Sequence, residues 1–270
     1  MDWLSAALLG VVQGLTEFLP VSSSAHLVLA RMFFGWNVDE GTFGLAFDVA
    51  LHTGTLLAIL VYFRQDIAEI LAAAPNAFTA TEGKAKVARA VMIGTIPIVI
   101  LGGAAASWLE EHARTPVVIA VTLVIGALWM MAAERLGSKD RTEESLTAAG
   151  ATVVGVAQAT ALVPGMSRSG STMSMAMLLG LTRESAARFS FLLGAPAMAG
   201  AALKEGQHVL RMGITMHDAS LFALGMAVSA VVGYATIRFF LRYLAGHSLD
   251  AFAYYRLALA ALTIYWLYGR

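Results

Sequence analysis

The chain has 270 residues, of which 58% are hydrophobic and only 13% charged, and its formal net charge at pH 7 is zero. A soluble domain carries about 25% charged residues, so this composition, with a mean hydropathy of +0.71, indicates a polytopic membrane protein. The zero net charge argues against nucleic acid as a partner. The lack of cysteine excludes disulfides, thiolate nucleophiles and cysteine metal ligands.

A first polar stretch lies within the first apolar run of the chain. Residues 13–26 read QGLTEFLPVSSSAH and carry an amide, a carboxylate, three serine hydroxyls and an imidazole. Each of these groups is costly in hydrocarbon without a partner, so their clustering predicts a functional site. Apolar residues 4–19 stop at Pro20, and a short apolar arm follows at 25–34. This pattern predicts a re-entrant helix–loop–helix hairpin, the alternative being two ordinary spans.

A second polar stretch, in the other half of the chain, has the same layout. Residues 158–172 read QATALVPGMSRSGST, preceded by apolar residues 146–163 and followed by a short apolar arm at 172–181. The two stretches also share a sequence echo, GVVQ at 10–13 and GVAQ at 155–158. We therefore expect a second re-entrant hairpin with a polar tip.

Six further segments are apolar enough to cross a membrane, which takes about 20 residues. They are residues 44–63, 88–109, 116–133, 185–203, 219–241 and 251–267. The predicted fold is therefore an all-α polytopic membrane protein with six transmembrane helices and two re-entrant hairpins, forming one membrane domain over residues 1–270. Each half, about 1–140 and 141–270, has one hairpin and then three spans, so the halves form an inverted-topology repeat. Such repeats place the site near the midplane at the repeat interface, where the two polar tips should meet.

Basic residues give the orientation of this topology. Most Lys and Arg residues lie on the side that holds the loops after the first, third and fifth spans. The positive-inside rule makes that side cytoplasmic. The mouth of the first hairpin and both termini then face outward.

The first hairpin offers candidate acid–base and nucleophilic groups. Gln13 and Glu17 are four residues apart and share one helix face; Glu17 is a base, a hydrogen-bond orienter or a metal ligand, or else a structural cap. The serines of residues 22–24 are candidate N-caps of the second arm, whose free N–H groups suit a phosphate. His26 follows close after Ser23, as in an activated nucleophile, although a satisfied core histidine is the alternative.

The second hairpin offers an anion site. Gly165 and Gly170 permit close approach of a ligand, and hydroxyls are supplied by Ser167, Ser169, Ser171 and Thr172. A guanidinium at a re-entrant tip needs an anion, and that of Arg168 fits phosphate in a bidentate manner. Pairing with Glu17 is the alternative and is compatible with it.

Three other polar residues lie in predicted spans. Asp48 and His52 are four residues apart; they pair with each other, line the cavity or contribute to a metal site, and their roles stay open. Arg256 is expected to snorkel or to pair within the bundle.

These motifs resemble a known family. Gln13-x-x-x-Glu17, then PVSSSAH at 20–26 and PGMSRSGST at 164–172, are similar to the two signatures of the bacterial undecaprenyl-pyrophosphate phosphatase family, also known for bacitracin resistance. The resemblance implies an integral enzyme of the bacterial cytoplasmic (inner) membrane, and the distribution of basic residues then predicts a site that faces the periplasmic side. It also implies hydrolysis of undecaprenyl pyrophosphate to the monophosphate and inorganic phosphate, which recycles the lipid carrier for peptidoglycan synthesis.

The resemblance also implies roles for residues. Ser23 would be the nucleophile, with Ser22 as the alternative; His26 would be its base, or instead the attacking group or the acid; and Glu17 would orient His26 or hold a divalent cation. Arg168 would bind pyrophosphate together with the remaining candidates, which are Gln13, Ser22, Ser24, Ser167, Ser169, Gly170 and Thr172. The family's cofactor would be Mg²⁺ or Ca²⁺, although Gln13 in place of Glu removes one anionic ligand.

Partners follow from the same reasoning. They are a polyprenyl pyrophosphate and membrane lipids, while the oligomeric state, including a homodimer, stays open. The rival function is a transporter or flippase for an anionic lipid, because inverted repeats and broken helices are also transporter architecture.

Overall fold

The computed structural model describes residues 2–36, 42–80, 82–212 and 215–269. These residues form α-helices, short 3₁₀ turns and no strand beyond a single isolated bridge. The α-helices are α1 Trp3–Thr16, α2 Ser23–Phe34, α3 Thr42–Tyr62, α4 Arg64–Ala73, α5 Lys84–His112, α6 Pro116–Leu136, α7 Ala148–Ala159, α8 Arg168–Leu178, α9 Arg183–Met212, α10 Met216–Leu244 and α11 Asp250–Tyr268. The predicted all-α class is confirmed.

Both predicted helix breaks are present. α1 ends before Glu17 and α2 starts at Ser23, whereas α7 runs through a 3₁₀ turn at Thr160–Leu162 before α8 starts at Arg168. Ser22 and Ser167 cap the second arms with positive φ angles of 75° and 70°. The second arm of the second hairpin thus starts about one turn earlier than the apolar pattern predicts, because the Ser167 hydroxyl accepts the Gly170 N–H and caps the helix there.

Four of the described helices have a segment long and apolar enough to cross a membrane: Lys84–Ala106, Pro116–Leu136, Arg183–Lys204 and Met216–Leu244. α3 and α4 together form a fifth candidate, bent by 78° at their junction; the helix α4 is absent from the sequence prediction. The protein is therefore a multi-pass membrane protein. α11 has 19 residues but is not among these spans, so the count of six and the inverted repeat stay predictions.

Helix packing places the two breaks inside the bundle. α10 packs against α1 and α3, α11 packs against α6, and α7 packs against α5. α8 lies among α6, α7 and α9. The largest core cluster contains the aromatic rings of Phe18, Phe63, Phe191 and Phe240, and Phe18 meets Phe191 edge-on at 5.3 Å between ring centroids. The residues just after α1 and just before α8 are thus held by helices from both halves.

Arg256 of α11 fastens these two breaks together. Its side chain is fully buried, and it donates to the Pro20 carbonyl at the first break and to the Gly165 and Met166 carbonyls at the second, at 2.9 to 3.3 Å. It also donates to two carbonyls of α6. Gly126 of α6 leaves the necessary space, because a Cβ there would lie 2.0 Å from the guanidinium. Of the two roles expected for Arg256, snorkelling and pairing within the bundle, the structure shows the second.

We expect Arg256→Met to lower stability by about 3 kcal/mol or more, since it leaves several buried carbonyls without donors and each such group costs about 1–3 kcal/mol. Thermal unfolding of the purified protein in detergent measures this. Arg242→Met, at an exposed position near the end of α10, is the matched control. An Arg256→Met protein that unfolds together with the control would refute this fastening role.

Candidate active site

The two polar tips meet at a cavity of about 300 Å³. Its polar wall is formed by both tips and by α3, and it includes Glu17, Ser23, His52, Ser167 and Arg168. Its apolar wall comes from α5, α9 and the 3₁₀ turn after α7, and it includes Ile98, Leu162, Ala197, Met198 and Ala201. The predicted convergence of the tips is confirmed, and the cavity combines a polar end with an apolar flank.

The Glu17 carboxylate lies at the centre of the polar wall. Its Oε1 accepts from Arg168 Nη2 at 2.6 Å, and its Oε2 accepts from the Ser23 hydroxyl at 2.7 Å. Gln13 Nε2 donates to the same Oε2 at 3.0 Å, and His52 Nε2 lies 3.5 Å from it. Gln13 is fully buried, so it orients Glu17 from behind and does not face the cavity.

The serines at the start of α2 form the floor beneath Glu17. The Ser22 side chain accepts from the Ala25 N–H and lies 3.2 Å from the Ser24 hydroxyl. Ser24 accepts from the Gly165 N–H of the second tip at 3.4 Å. The first turn of a helix leaves backbone N–H groups without intrahelical acceptors, and its dipole favours negative charge. The hydroxyl of Ser23 and this helix end therefore face the same anion position.

Arg168 reaches Glu17 across the cavity from the first turn of α8. Its Nη1 donates to the Ser190 carbonyl of α9 at 3.2 Å, and its Nη2 also contacts the sulfur of Met198. Gly194 of α9 makes this position accessible, because a Cβ there would lie 1.5 Å from Nη1. The sequence predicts two partners for Arg168, an anionic ligand and Glu17, and the structure contains the ion pair with Glu17.

The other residues of the second tip separate into two groups. Ser167 lines the cavity, whereas Ser169, Gly170 and Thr172 are buried behind it. Ser169 donates to the Leu19 carbonyl of the first tip at 3.2 Å, and Thr172 donates to the carbonyl of Arg168 at 2.7 Å. Their contacts hold the two tips and Arg168 in place. This geometry favours positioning roles for these residues over the expected contact with substrate.

His26 lies away from the cavity, in contrast to its expected place beside the nucleophile. Its Nδ1 donates to the Ser22 carbonyl at 2.7 Å, and its Nε2 is 2.8 Å from the Tyr255 hydroxyl. The imidazole is also stacked on the Tyr255 ring. The helical turn from Ser23 to His26 directs the imidazole toward α11, where Nε2 is engaged, while Nδ1 is engaged by the Ser22 carbonyl. The proton acceptor of Ser23 in this structure is Glu17.

His52 is the cavity residue that sequence reasoning left unassigned. Its Nδ1 donates to the Asp48 carbonyl one turn earlier at 2.7 Å, which turns Nε2 toward Glu17. The side chain is 33% exposed and lines the cavity. A histidine four residues after an aspartate in a predicted span is visible in the sequence as a candidate cavity residue. The proximity of His52 to Glu17, however, depends on how α3 packs beside α1.

A resident metal ion does not fit the residues present. Across the described ranges, no group of three or more His, Asp or Glu side chains is arranged to hold one. Both oxygens of Glu17 already accept from Arg168 and Ser23, and its Gln13 neighbour is neutral. The chain by itself therefore supplies too few anionic ligands for Mg²⁺ or Ca²⁺.

This fold and site together define an integral membrane protein with a cavity where two broken helices meet, lined by a serine hydroxyl, a carboxylate and a guanidinium. Comparison with known proteins agrees and is more specific. The family model described as bacitracin resistance protein BacA matches residues 6–262, so the chain belongs to the BacA family.

Curated relatives extend over nearly the whole chain. A protein of Rubrobacter xylanophilus named undecaprenyl-diphosphatase is 47% identical over 266 residues, covering 97% of each chain. Proteins of the same name from Hahella chejuensis, 45% identical, and Alcanivorax borkumensis, 43% identical, each cover 99% of this chain and 99% and 100% of their own.

We expect Gly194→Ala to lower activity about 100-fold, because displacement of a positioning group by about 1 Å has an effect of that size. The added methyl group would displace the Arg168 guanidinium. Gly200→Ala, at an exposed position of α9 with open space around its Cβ, is the matched control. Phosphate release from a short prenyl pyrophosphate measures both variants, and equal rates would refute the need for this close contact.

Proposed function

We propose that this protein is an undecaprenyl-diphosphatase, which hydrolyses undecaprenyl pyrophosphate to undecaprenyl phosphate and inorganic phosphate. This reaction recycles the lipid carrier for peptidoglycan synthesis and accounts for bacitracin resistance. The observation that carries the proposal is the joining of Ser23, Glu17 and Arg168 by hydrogen bonds of 2.6 to 2.7 Å in a cavity with an apolar flank. The names of relatives that are 43% to 47% identical support the same activity.

Ser23 is the proposed nucleophile. Its oxygen forms a bond to the terminal phosphorus while the bond from that phosphorus to the bridging oxygen breaks, and prenyl monophosphate leaves. Water then attacks the phosphoserine and releases inorganic phosphate. The hydroxyl already donates to Glu17 Oε2 at 2.7 Å, which is the contact that a nucleophile and its base require.

Glu17 is the proposed base. It takes the proton of Ser23 as the serine oxygen attacks. It returns a proton to that oxygen when water cleaves the phosphoserine. Gln13 and Arg168 fix the carboxylate from two sides. His52, 3.5 Å away and partly exposed, gives the proton on Glu17 a route to the water of the cavity.

Arg168 is the proposed phosphate ligand. In the structure it is held by Glu17 and by the Ser190 carbonyl, so the guanidinium is oriented before substrate arrives. Its planar fork suits the equatorial oxygens of a transferring phosphoryl group. The Ser167 hydroxyl and the N–H groups at the start of α2 complete the cradle, in the manner of a helix N-terminus that binds phosphate.

A divalent cation, Mg²⁺ or Ca²⁺, is proposed to enter bound to the pyrophosphate itself. The shortage of anionic ligands in the cavity wall supports this proposal, since phosphate oxygens would supply the missing ligands. When present, the ion would neutralise charge on those oxygens. Glu17 is the carboxylate nearest to the proposed phosphate position.

The prenyl chain is proposed to lie along the apolar wall between α5 and α9, where Ile98, Met198 and Ala201 face the cavity. The distribution of basic residues supports a site that opens toward the periplasmic side of the cytoplasmic membrane. Surrounding membrane lipids would contact the same flank. The oligomeric state, including a homodimer, stays open.

We expect Ser23→Ala to lower kcat at least about 1,000-fold with little change in KM, since the nucleophile acts mainly in the transition state. Ser24→Ala should lose far less, because the Ser24 hydroxyl bonds to Ser22 and the Gly165 N–H and not to Glu17. Phosphate release in detergent, where no gradient exists, measures both. Wild-type protein without release would refute the phosphatase itself, and an active Ser23→Ala variant would assign the attack to water.

We expect His26→Gln to lower activity while the shape of the pH–rate profile is retained. The imidazole supports the cap of α2 through the Ser22 carbonyl, and its nitrogens do not reach Ser23. The pH dependence of kcat, measured for His26→Gln and wild type, checks this. Loss of one limb of the profile in the variant would show that His26, and not Glu17, takes the proton.

A further inference from the structure

A second ion-pair cluster lies on the wall of the same cavity. Asp48 Oδ2 accepts from Arg114 Nη2 at 2.8 Å and from Arg31 Nη1 at 3.0 Å, and its Oδ1 accepts from Arg31 Nη2. Asp48 and Arg114 both line the cavity. These three residues, called here the Arg31–Asp48–Arg114 cluster, come from α2, α3 and the connection between α5 and α6.

The charges of this cluster do not balance. Two guanidiniums face one carboxylate, which leaves one positive charge in the trio, whereas Arg168 and Glu17 neutralise each other. Asp48 is buried, with 6% of its side chain exposed, but the Arg114 side chain is 29% exposed. Arg31 is not among the residues that line the cavity, so the positive charge of the trio meets the cavity at Arg114.

The cluster also keeps hydrogen-bond donors in reserve. Arg114 uses Nη2 for Asp48, and a guanidinium has five N–H groups. Arg31 Nε is buried and has no acceptor among the described residues. A planar fork held in place by a carboxylate, with further donors unused, is suited to a phosphate group.

The position of the cluster links it to the reaction site. Asp48 and His52 are one turn apart on α3, about 6 Å of helical rise, and the Asp48 carbonyl orients His52 toward Glu17. Ser23 and Arg114 line the same cavity, so a phosphate group can reach both without leaving it. No group in the proposed hydrolysis mechanism uses this second cation.

We propose that the Arg31–Asp48–Arg114 cluster is a second phosphate-binding subsite of the cavity, with Arg114 as the residue that contacts the ligand. The proposal rests on the phosphatase function. Its ligand is a phosphate group, either the inorganic phosphate released from Ser23 or the second phosphate of the incoming substrate. Asp48 orients the guanidiniums and limits how tightly the subsite holds its ligand.

The test uses inorganic phosphate as an inhibitor of the purified protein acting on a short prenyl pyrophosphate. Arg114→Gln should raise the inhibition constant of phosphate about 10-fold or more, as expected for lost charge-assisted hydrogen bonds. Asp48→Asn should lower that constant, because it frees both guanidiniums. Arg188→Gln removes an arginine that pairs with Asp66 at 2.7 Å outside the cavity and should leave the constant unchanged.

The two sources of phosphate give different kinetic results. A raised inhibition constant with unchanged KM in Arg114→Gln identifies the released product, whereas a parallel rise in KM identifies the second phosphate of the substrate. Arg114→Lys should fall between wild type and Arg114→Gln, since it keeps the charge and loses the fork.

Opposite shifts for Arg114→Gln and Asp48→Asn support the subsite, because simple structural damage would weaken inhibition in both variants. An unchanged constant in Arg114→Gln, or shifts in the same direction, would overturn the proposal. Equilibrium binding of inorganic phosphate to wild type and Arg114→Gln tests the subsite separately from the phosphatase function. A protein that binds phosphate through Arg114 but releases none from substrate would refute the phosphatase and keep the subsite.

Discussion

The structure depends on one buried guanidinium, that of Arg256. Two apolar helices are broken inside the bundle, and each break leaves buried carbonyl groups that need a hydrogen-bond donor. Arg256 supplies donors to carbonyls of both breaks and to α6, and within the described part of the chain no carboxylate is among its hydrogen-bond partners. Because one side chain donates hydrogen bonds to both breaks, it holds the two tips next to each other. The active cavity is a consequence of this shared contact.

The two tips have the same local construction and opposite chemistry. Ser22 and Ser167 both adopt positive φ angles, and each hydroxyl lies 3.2 Å from that of the serine two residues later. The residue after the cap differs: it is Ser23 in the first hairpin and Arg168 in the second. One tip thus presents a nucleophile and the other a cation, and each would be half of a phosphoryl-transfer site. Backbone strain at the two caps is the cost of directing both residues into one cavity.

Glu17 joins these halves and explains how the site is kept ready. A buried carboxylate and a buried guanidinium are each unfavourable alone, so their pairing holds both side chains at the cavity. Gln13 behind the carboxylate and Ser190 behind the guanidinium fix the directions of the pair. Because this pair is neutral, it attracts an anionic ligand only weakly, and the positive charge at Arg114 would supply the attraction. The cavity wall would then have separate positions for reaction and for holding phosphate.

Local pattern was sufficient for much of this protein. Long apolar runs indicate membrane helices, and a proline followed by serines within such a run indicates a broken helix, because proline ends a helix and a serine caps the next one. The two signature motifs likewise identify Glu17, Ser23, His26 and Arg168 as a candidate set. Only the tertiary structure decided which groups touch. His26 is close to Ser23 in sequence, yet the helical turn directs its ring to Tyr255, whereas His52 and Arg114 reach the cavity from other helices and connections. Spacing along one helix is fixed by the backbone, but contacts between helices depend on packing that no single segment encodes.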